Sequence, residues 1–549
     1  MSANRDVVII GGGHNGLVAA AYLARAGLST LVCESRDVVG GAAVSEHPFG
    51  PDYTVTSLSY VVSLLPADLV ADLHLEQHGY FVYPQGPYFA PRADGRYLRL
   101  PHDPSERHRE IAKFSARDAD AYPAYEAHMD GIGAVLGPLL SQIPPRLGSR
   151  RPHDLLQQGL LLRHLKGVDT RAAVDITRLL SSSIADLLDG YFESDALRGL
   201  LSVSGVIGTW AGPRSAGSAY VTLHHHLGDA GGQAGAWGFP RGGMGGVTAA
   251  LAAAARSFGA EIRTGARAAA INSSGGSATG ITLATGEVIN ASTVITTAHP
   301  AISFLDLVDP SALPPDFVTD IRGWHSRSGT VKINLAVDRL PVFASHRNID
   351  PHVHGGTIVL AESLDDLEHA FQDAVAGQPS RVPFADVCIP SVFDDSLAPA
   401  GQHVISLFTQ WVPHTYAQQT DAAALDAYAD RVVARMEAVA PGFTSSVLHR
   451  QVIGPRQMQE EYGLVGGNIF HGELTLGQMF HGRPAAGYAD LRTPIRGLYQ
   501  AGSATHGGGG VTGIPGRNVV HQVLADRRSA RWRRAGRAAG RRDAWSTPR

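Results

Sequence analysis

The chain has 549 residues, 44% of them apolar and 17% charged, with a formal net charge of −4. That length holds two or three domains, and the charge balance supplies no general attraction for nucleic acid. Its two cysteines, Cys33 and Cys388, exclude a disulfide framework and form no C-x-x-C pair, so electron transfer through a cysteine couple is excluded too.

Asp6-Val7-Val8-Ile9-Ile10 reads as a buried parallel strand. It runs into Gly11-Gly12-Gly13-His14-Asn15-Gly16-Leu17 and then an Ala- and Leu-rich helix, Leu17 to Ala26, closed by Gly27. A second strand, Ser29 to Cys33, ends on Glu34. Strand, Gly-x-Gly-x-x-Gly turn, helix, strand and acidic residue make a dinucleotide-binding unit. Gly11 makes the tight turn, Gly13 leaves room for a pyrophosphate, and Gly16 lets helix and strand pack. The helix N-terminus offers free N–H groups to the phosphates, and Glu34 accepts hydrogen bonds from the adenosine ribose. NAD and FAD both remain open at this point. The strand begins at about residue 6, leaving no room for a signal or transit peptide, and no apolar run approaches a membrane span. The expected location is the cytoplasm.

Residues from about 105 to 220 are rich in Leu, Asp and Arg and read as helical. Within them, Ile143 to Arg151 leads into Leu155 to Lys166, a stretch with five cationic residues, many leucines and one acid, Asp154. It is either a core-facing helix with solvated arginines or a basic amphipathic segment for an anionic bilayer. His224-His225-His226 invites a metal reading, but adjacent imidazoles point in different directions, so no metal site is expected. From Trp237 to His299 the α/β pattern returns, with a helix Val247 to Phe258, a strand Gly259 to Arg263, and a hairpin about Thr285-Gly286. Gly238 to Arg241 is not expected to be a strand, because Pro240 breaks the ladder.

Residues 326 to 450 read as the strands and helices of a second domain. In Gly329 to Val337, residues 331, 333, 335 and 337 form one apolar face, while Lys332 and Asn334 lie on the other. His352-Val353-His354 reads as loop histidines. Near the C-terminus, Leu498 to Ala501 is a short strand, followed by the glycine-rich run Gly502 to Gly510 and a helix over 516–524 behind Thr512, Gly513 and Pro515. A second glycine turn without a second complete fingerprint suits FAD better than NAD, because FAD needs a pyrophosphate loop at one end and a cradle for its ring at the other. From Arg527 onward, nine arginines face one acid, Asp543, as in a solvated, frayed tail or an anionic-surface contact.

Taken together, the residues 11–17 with Glu34, Gly40-Gly41-Ala42-Ala43, Gly235 to Met244, Gly466 to Gly472 and Gly497 to Asn518 resemble the phytoene desaturase-like branch of the FAD-dependent amine oxidase and glutathione reductase-type superfamily. Within it, the pattern is similar to the pyridine nucleotide-disulfide oxidoreductase domain-containing protein 2 group and to carotene ketolases of the phytoene-desaturase type. Ala42 stands where an arginine is common in phytoene desaturases, and the cysteines cannot form the disulfide that the group's name promises. The resemblance implies an α/β fold in which 1–70, 225–300 and 485–526 form a discontinuous Rossmann-type FAD-binding domain. Residues 71–104 and 301–484 then form a mixed α/β substrate domain, 105–224 a helical insertion and 527–549 a basic tail.

By the same resemblance, FAD contacts Gly11, Gly13, His14, Asn15, Gly16 and Glu34, with Gly40, Gly41 and Ala42 as a second backbone contact and Ala268 at adenine. Gly502, Gly509, Gly510, Gly513 and Ile514 cradle the ring. Lys332 is the implied catalytic residue, holding a water at flavin N5; the competing reading is a solvated strand face. The expected activity is hydride transfer between a hydrophobic, isoprenoid- or lipid-like substrate and flavin N5, with weak peripheral membrane contact, no metal and no nucleic-acid partner. Alternatives are a carotene ketolase or saturase, and a non-catalytic lipid-binding escort protein on the same fold.

Overall fold

A computed structural model describes residues 4–230, 233–419 and 421–543. Val7, Val8, Ile9 and Ile10 are all buried in the strand Arg5–Ile10, as a run of apolar β-branched residues must be when both of its faces are covered. This strand pairs in parallel with Thr30–Cys33 on one side and Val288–Thr296 on the other. Glu261–Arg263 and Leu498–Gln500 extend the parallel arrangement at its two edges. The antiparallel strands Ala268–Ser274 and Ser277–Leu283 join through the first half of Val288–Thr296, completing a seven-stranded sheet drawn from remote parts of the chain.

Alternation along these strands sorts the two faces. Val7, Ile9, Val32 and Ile295 meet the helices His14–Arg25, Met244–Ser257 and the one that begins at Ile514. Those helices are alanine-rich on the packed side, where Ala20, Ala21, Ala254 and Ala255 allow close approach to the sheet. Val8, Ile10, Leu31, Cys33 and Val294 face the other way, against Phe304 and Phe317.

A second seven-stranded sheet runs in the order Val447–Ile453, Thr330–Val337, His403–Gln410, Phe384–Cys388, Ile358–Leu360, Tyr88–Pro91 and Tyr97–Leu100. Val331, Ile333, Leu335 and Val337 pack against Tyr428, Val432 and Met436 of the helix Ala422–Val439. The even-numbered residues of that strand point away from the helix, and helices between Pro104 and His226 cover the sheet's other side. Cys33 and Cys388 therefore sit in different sheets, both buried and both free.

Three expectations are corrected. Gly238–Pro240 is a strand, paired with Val82–Pro84 in a two-stranded ribbon whose open edge tolerates a residue without an N–H. His352 and His354 lie on the short helix Pro351–His354, capped by Asp350, and His354 is buried with Nε2 2.8 Å from the Pro341 carbonyl. The C-terminal helix does not stop at residue 524 but continues to Asp543, and Arg527 pairs with Asp6 at 2.7 Å. Residues 544–549 of the arginine-rich end lie outside the described residues.

Of the two readings open for the helix Pro152–Leu165, the core-facing one does not hold, because its leucines do not turn to the core. Leu156 and Leu162 are 60% and 68% exposed, and Leu155, Leu160 and Leu165 are exposed beside them. Polar bonds hold the inner side instead. Asp154 pairs with the buried Arg492 at 3.2 Å, Gln158 donates to the Arg146 carbonyl at 2.9 Å, and His164 Nε2 lies 2.8 Å from the Val135 carbonyl. No helix among the described residues is long and apolar enough to cross a membrane.

Candidate active site

The glycine turn is built by contacts that leave no room for side chains at two of its positions. Gly11 has φ +100°, and a Cβ there would lie 2.4 Å from Thr297 Oγ1. Thr297 itself donates to the carbonyls of Ile10 at 3.0 Å and Gly11 at 3.3 Å, pinning the turn to the neighbouring strand. A Cβ on Gly16 would lie 2.1 Å from the Gly11 carbonyl oxygen, so the helix sits directly on the turn. Gly13 differs: its φ is −71°, and the nearest atom to a Cβ would be the Gly40 carbonyl, 3.9 Å away. What its missing side chain leaves free is cavity.

That cavity, about 790 Å3, spans the two sheets. At one end it is lined by Gly11, Gly13, His14, Asn15, Glu34, Gly40, Gly41, Ala42 and Ala268; at the other by Tyr60, Thr330, Lys332, Asp386 and Phe408. Glu34 is buried at the end of its strand. Its Oε2 accepts from the Gly12 N–H at 2.6 Å, and its Oε1 from the Arg36 N–H at 2.9 Å and the Ser35 hydroxyl at 3.1 Å. A carboxylate has about four lone-pair sites, so one remains for a ligand hydroxyl.

The residues fit FAD on several grounds. His14 Nε2 and Asn15 Oδ1 are buried without partners, and both residues line the cavity beside a helix N-terminus that lacks a side-chain cap. Such orphaned groups and free N–H donors are what an anionic, hydrogen-bonding cofactor satisfies. Burial, with a lesser push from His471, brings His14 down to about 4, so its ring is neutral at pH 7. Asn15 Nδ2 reaches Ser503 Oγ at 3.4 Å, joining the two glycine-rich turns, and Ser503, Gly510 and Val511 carry the wall onward. Val511 and His471 have φ values of 62° and 57°, left-handed conformations that are strained for such residues and occur here against the cavity.

The other implied ring contacts sit behind that wall. A Cβ on Gly502 would meet the Thr297 carbonyl at 2.5 Å, one on Gly509 the Phe470 ring at 2.9 Å, and one on Gly513 a Leu69 methyl at 3.0 Å. These glycines bring walls together and, like Gly16 and Ile514, are not part of the lining. Thr512 Oγ1 accepts from the Ile514 N–H at 3.2 Å and caps the final helix. His225 does line the cavity, beside Trp237, while among the described residues no group of three acidic, histidine or cysteine side chains is placed to hold a metal.

Lys332 is 1% exposed, which removes the reading of a solvated strand face. The even side of its strand meets the cavity and not water. Its Nζ donates to Asn334 Oδ1 at 2.7 Å and to the Ser406 hydroxyl. Burial pulls the ammonium down to about 7, opposed by Cys388 and Asp386. Asp386, Tyr60 and Thr297 were not anticipated. Asp386 had a visible signal, an acid inside the apolar strand Phe384–Cys388, whereas Tyr60 and Thr297 are loop residues without a pattern around them.

A Gly-x-Gly-x-x-Gly turn on a parallel sheet, opening into a cavity floored by a second sheet, defines a flavin-binding oxidoreductase. Residues 16–516 match the family described as flavin containing amine oxidoreductase, and the chain belongs to that family, with FAD as cofactor. It is 40% identical to the pyridine nucleotide-disulfide oxidoreductase domain-containing protein 2 of Rattus norvegicus, over 95% of this chain and 93% of the relative. A phytoene desaturase (lycopene-forming) of a Paracoccus species is 23% identical, over 96% of this chain and 99% of the relative. Among solved structures, a variant of putrescine oxidase superposes with a TM-score of 0.59 at 18% identity, covering 95% of this chain and 99% of that one.

Proposed function

We propose that this FAD-dependent oxidoreductase is a dehydrogenase for a hydrophobic, isoprenoid- or lipid-like substrate. The observation that carries the reading is the far end of the cavity, where Tyr60, Ile207, Phe408 and Ile469 belong to one apolar cluster and line a space continuous with the glycine turn. The match to a phytoene desaturase supports it at the level of distant kinship. FAD, when bound, supplies hydride acceptance at N5; the protein supplies position, dryness and electrostatics. Gly11, Gly13, His14, Asn15, Glu34, Gly40, Gly41, Ala42, Ala268, Ser503 and Gly510 would hold the cofactor. The test is anaerobic reduction: a suitable isoprenoid or fatty substrate bleaches the flavin, and a panel of such lipids without effect refutes the reading.

Lys332 has a role within it. An ammonium has three N–H donors, and Asn334 and Ser406 take two, leaving one for a water in the cavity. Lys332→Met is expected to retain FAD and slow flavin reoxidation or reduction by about a hundredfold or more, the usual scale for a positioned proton-transfer group. Stopped-flow rates unchanged in both half-reactions would remove Lys332 from the chemistry.

The same proposal includes an approach to membranes. The helix Pro152–Leu165 is polar inside and apolar outside, with Arg150, Arg151, Arg163 and Lys166 exposed around its leucines. That arrangement matches an anionic bilayer surface, into which the leucines insert while the cations meet headgroups. We expect weak, salt-sensitive flotation with anionic vesicles. It should fall in Leu156→Ser/Leu162→Ser, which removes only exposed side chains and leaves thermal stability within about 0.5 kcal/mol. Wild-type protein that stays in the soluble fraction at low salt refutes the contact.

A further inference from the structure

On the cavity face of the second sheet, Lys332, Phe408 and Asp386 stand in one cross-strand row. Lys332 and Asp386 are both register partners of Phe408, from the strands on its two sides. Tyr60 lies over that row. Its ring stacks on Phe408 with centroids 6.0 Å apart, Lys332 Nζ is 5.4 Å from its centroid, and its hydroxyl donates to Asp386 Oδ2 at 3.0 Å.

One atom in the row is left over. Asp386 is 6% exposed, yet its Oδ1 has no hydrogen-bond partner, and the residue lines the cavity. Desolvating a carboxylate oxygen and leaving it unpaired costs more than almost any other polar burial. An apolar residue at 386 would pack as well against Phe408, so the acid marks a place that a ligand completes. A bare hydrocarbon has nothing to give it.

We propose that Asp386 Oδ1 anchors a hydrogen-bond-donating group, a hydroxyl or an amine, on an otherwise apolar substrate, so that the substrate is amphipathic. The inference rests on the reading above that this cavity takes an apolar molecule. Tyr60 fixes the carboxyl plane through Oδ2 and directs Oδ1 to the ligand. Lys332, with two of its three donors engaged by Asn334 and Ser406, lies beyond Phe408 and makes no bond to that oxygen.

Binding of a donor group at Asp386 depends on pH. Burial raises the Asp386 carboxyl to about 7, opposed by the Tyr60 hydrogen bond and by Lys332. The other titratable groups facing it are Tyr88 and Cys388, which burial keeps protonated, and Lys332, which loses its charge over the same range. Above pH 7 Oδ1 is an acceptor; below, the carboxyl carries its own proton. A donor ligand therefore binds more tightly at pH 8 than at pH 6.

The test uses FAD-loaded protein and three ligands of one chain length: octane, 1-octanol and octylamine. Affinity is read from perturbation of the flavin spectrum and from titration calorimetry. Wild type is expected to hold 1-octanol or octylamine at least about tenfold more tightly than octane, as one charge-assisted hydrogen bond requires. Which of the two gains assigns the hydroxyl or the amine. Asp386→Asn should remove the preference and its pH dependence. Tyr60→Phe, which keeps the ring, should move the pH midpoint upward by removing a bond to the carboxylate, an effect that a merely structural Asp386 does not show. Equal affinity of wild type for the three ligands overturns the inference. If long-chain lipids still bleach the flavin in that case, the hydrophobic-substrate reading stands alone; if neither binding nor bleaching occurs, both fall.

Discussion

Lowering the pH from 6.5 to 4 is expected to unfold this protein, through its histidines more than through its carboxylates. His14, His471 and His506 are pulled down to about 4 and His224 to about 3, each first by burial. The nearby cation Arg483 adds to this at His224, His471 and His506. Arg483 is itself buried and bonded to the carbonyls of Phe470, Ser503, Thr505 and Gln478, with no carboxylate among those partners. Between pH 6.5 and the folded-state values, the unfolded chain binds more protons than the folded one. Stability therefore rises with pH across that window, is fully present above 6.5 and is lost as the pH falls through about 4.

At one pKa unit per 1.36 kcal/mol, His14, His471 and His506 each contribute about 3 kcal/mol and His224 about 5, and together they reach the order of 10 kcal/mol, comparable with the whole stability of a domain. Asp386 acts in the opposite sense, because its raised carboxyl gives stability that is full below about 4 and is lost as the pH rises through about 7, but it is one group against four. Thermal melts from pH 8 to pH 4, followed with flavin release, check the expectation. A melting temperature that is flat from 6.5 to 4.5 would show that the buried rings carry no such penalty. His506→Asn, which can still donate to the Leu139 carbonyl now 2.8 Å from Nε2, should flatten the curve if they do.

The parts of this molecule that could be read from its sequence are those where local pattern and burial agree. Val7 to Ile10 are covered on both faces, so their β-branched run was a reliable strand, and Glu34 followed from spacing alone. Lys332 could be placed on a strand face, but whether that face met water or a cavity depended on helices more than a hundred residues away in the chain. Pro240 misled because a ribbon edge forgives a missing donor. The leucines of Pro152–Leu165 left two readings open, because an apolar stripe ordinarily predicts burial, and the choice rested on Arg492, an ion partner remote in sequence that holds the polar side inward. In the C-terminal turn, glycines that pack walls and glycines that face the cavity have the same letter. Only contacts such as Gly509 on Phe470 separate them.

Gly13 and Gly16 give the sharpest contrast that the site offers. A Cβ at Gly13 would meet no protein atom closer than the Gly40 carbonyl at 3.9 Å, and φ −71° suits any residue. Gly13→Val should therefore fold, with a melting temperature close to that of the wild-type apoprotein, while its branched methyls fill the space beside the helix N-terminus. Overpacking of that kind costs about 1–3 kcal/mol, and the loss of phosphate contact with the N–H groups adds to it, so FAD affinity should fall by about a hundredfold or more. Gly16→Ala should fail differently. Its Cβ would lie 2.1 Å from the Gly11 carbonyl, so helix and turn must separate and stability itself should drop. Equilibrium dialysis against FAD, paired with apoprotein melts, distinguishes the two. If Gly13→Val retains full flavin occupancy while folded, the pyrophosphate does not lie over Gly13, and the orientation of FAD along the cavity has to be reversed.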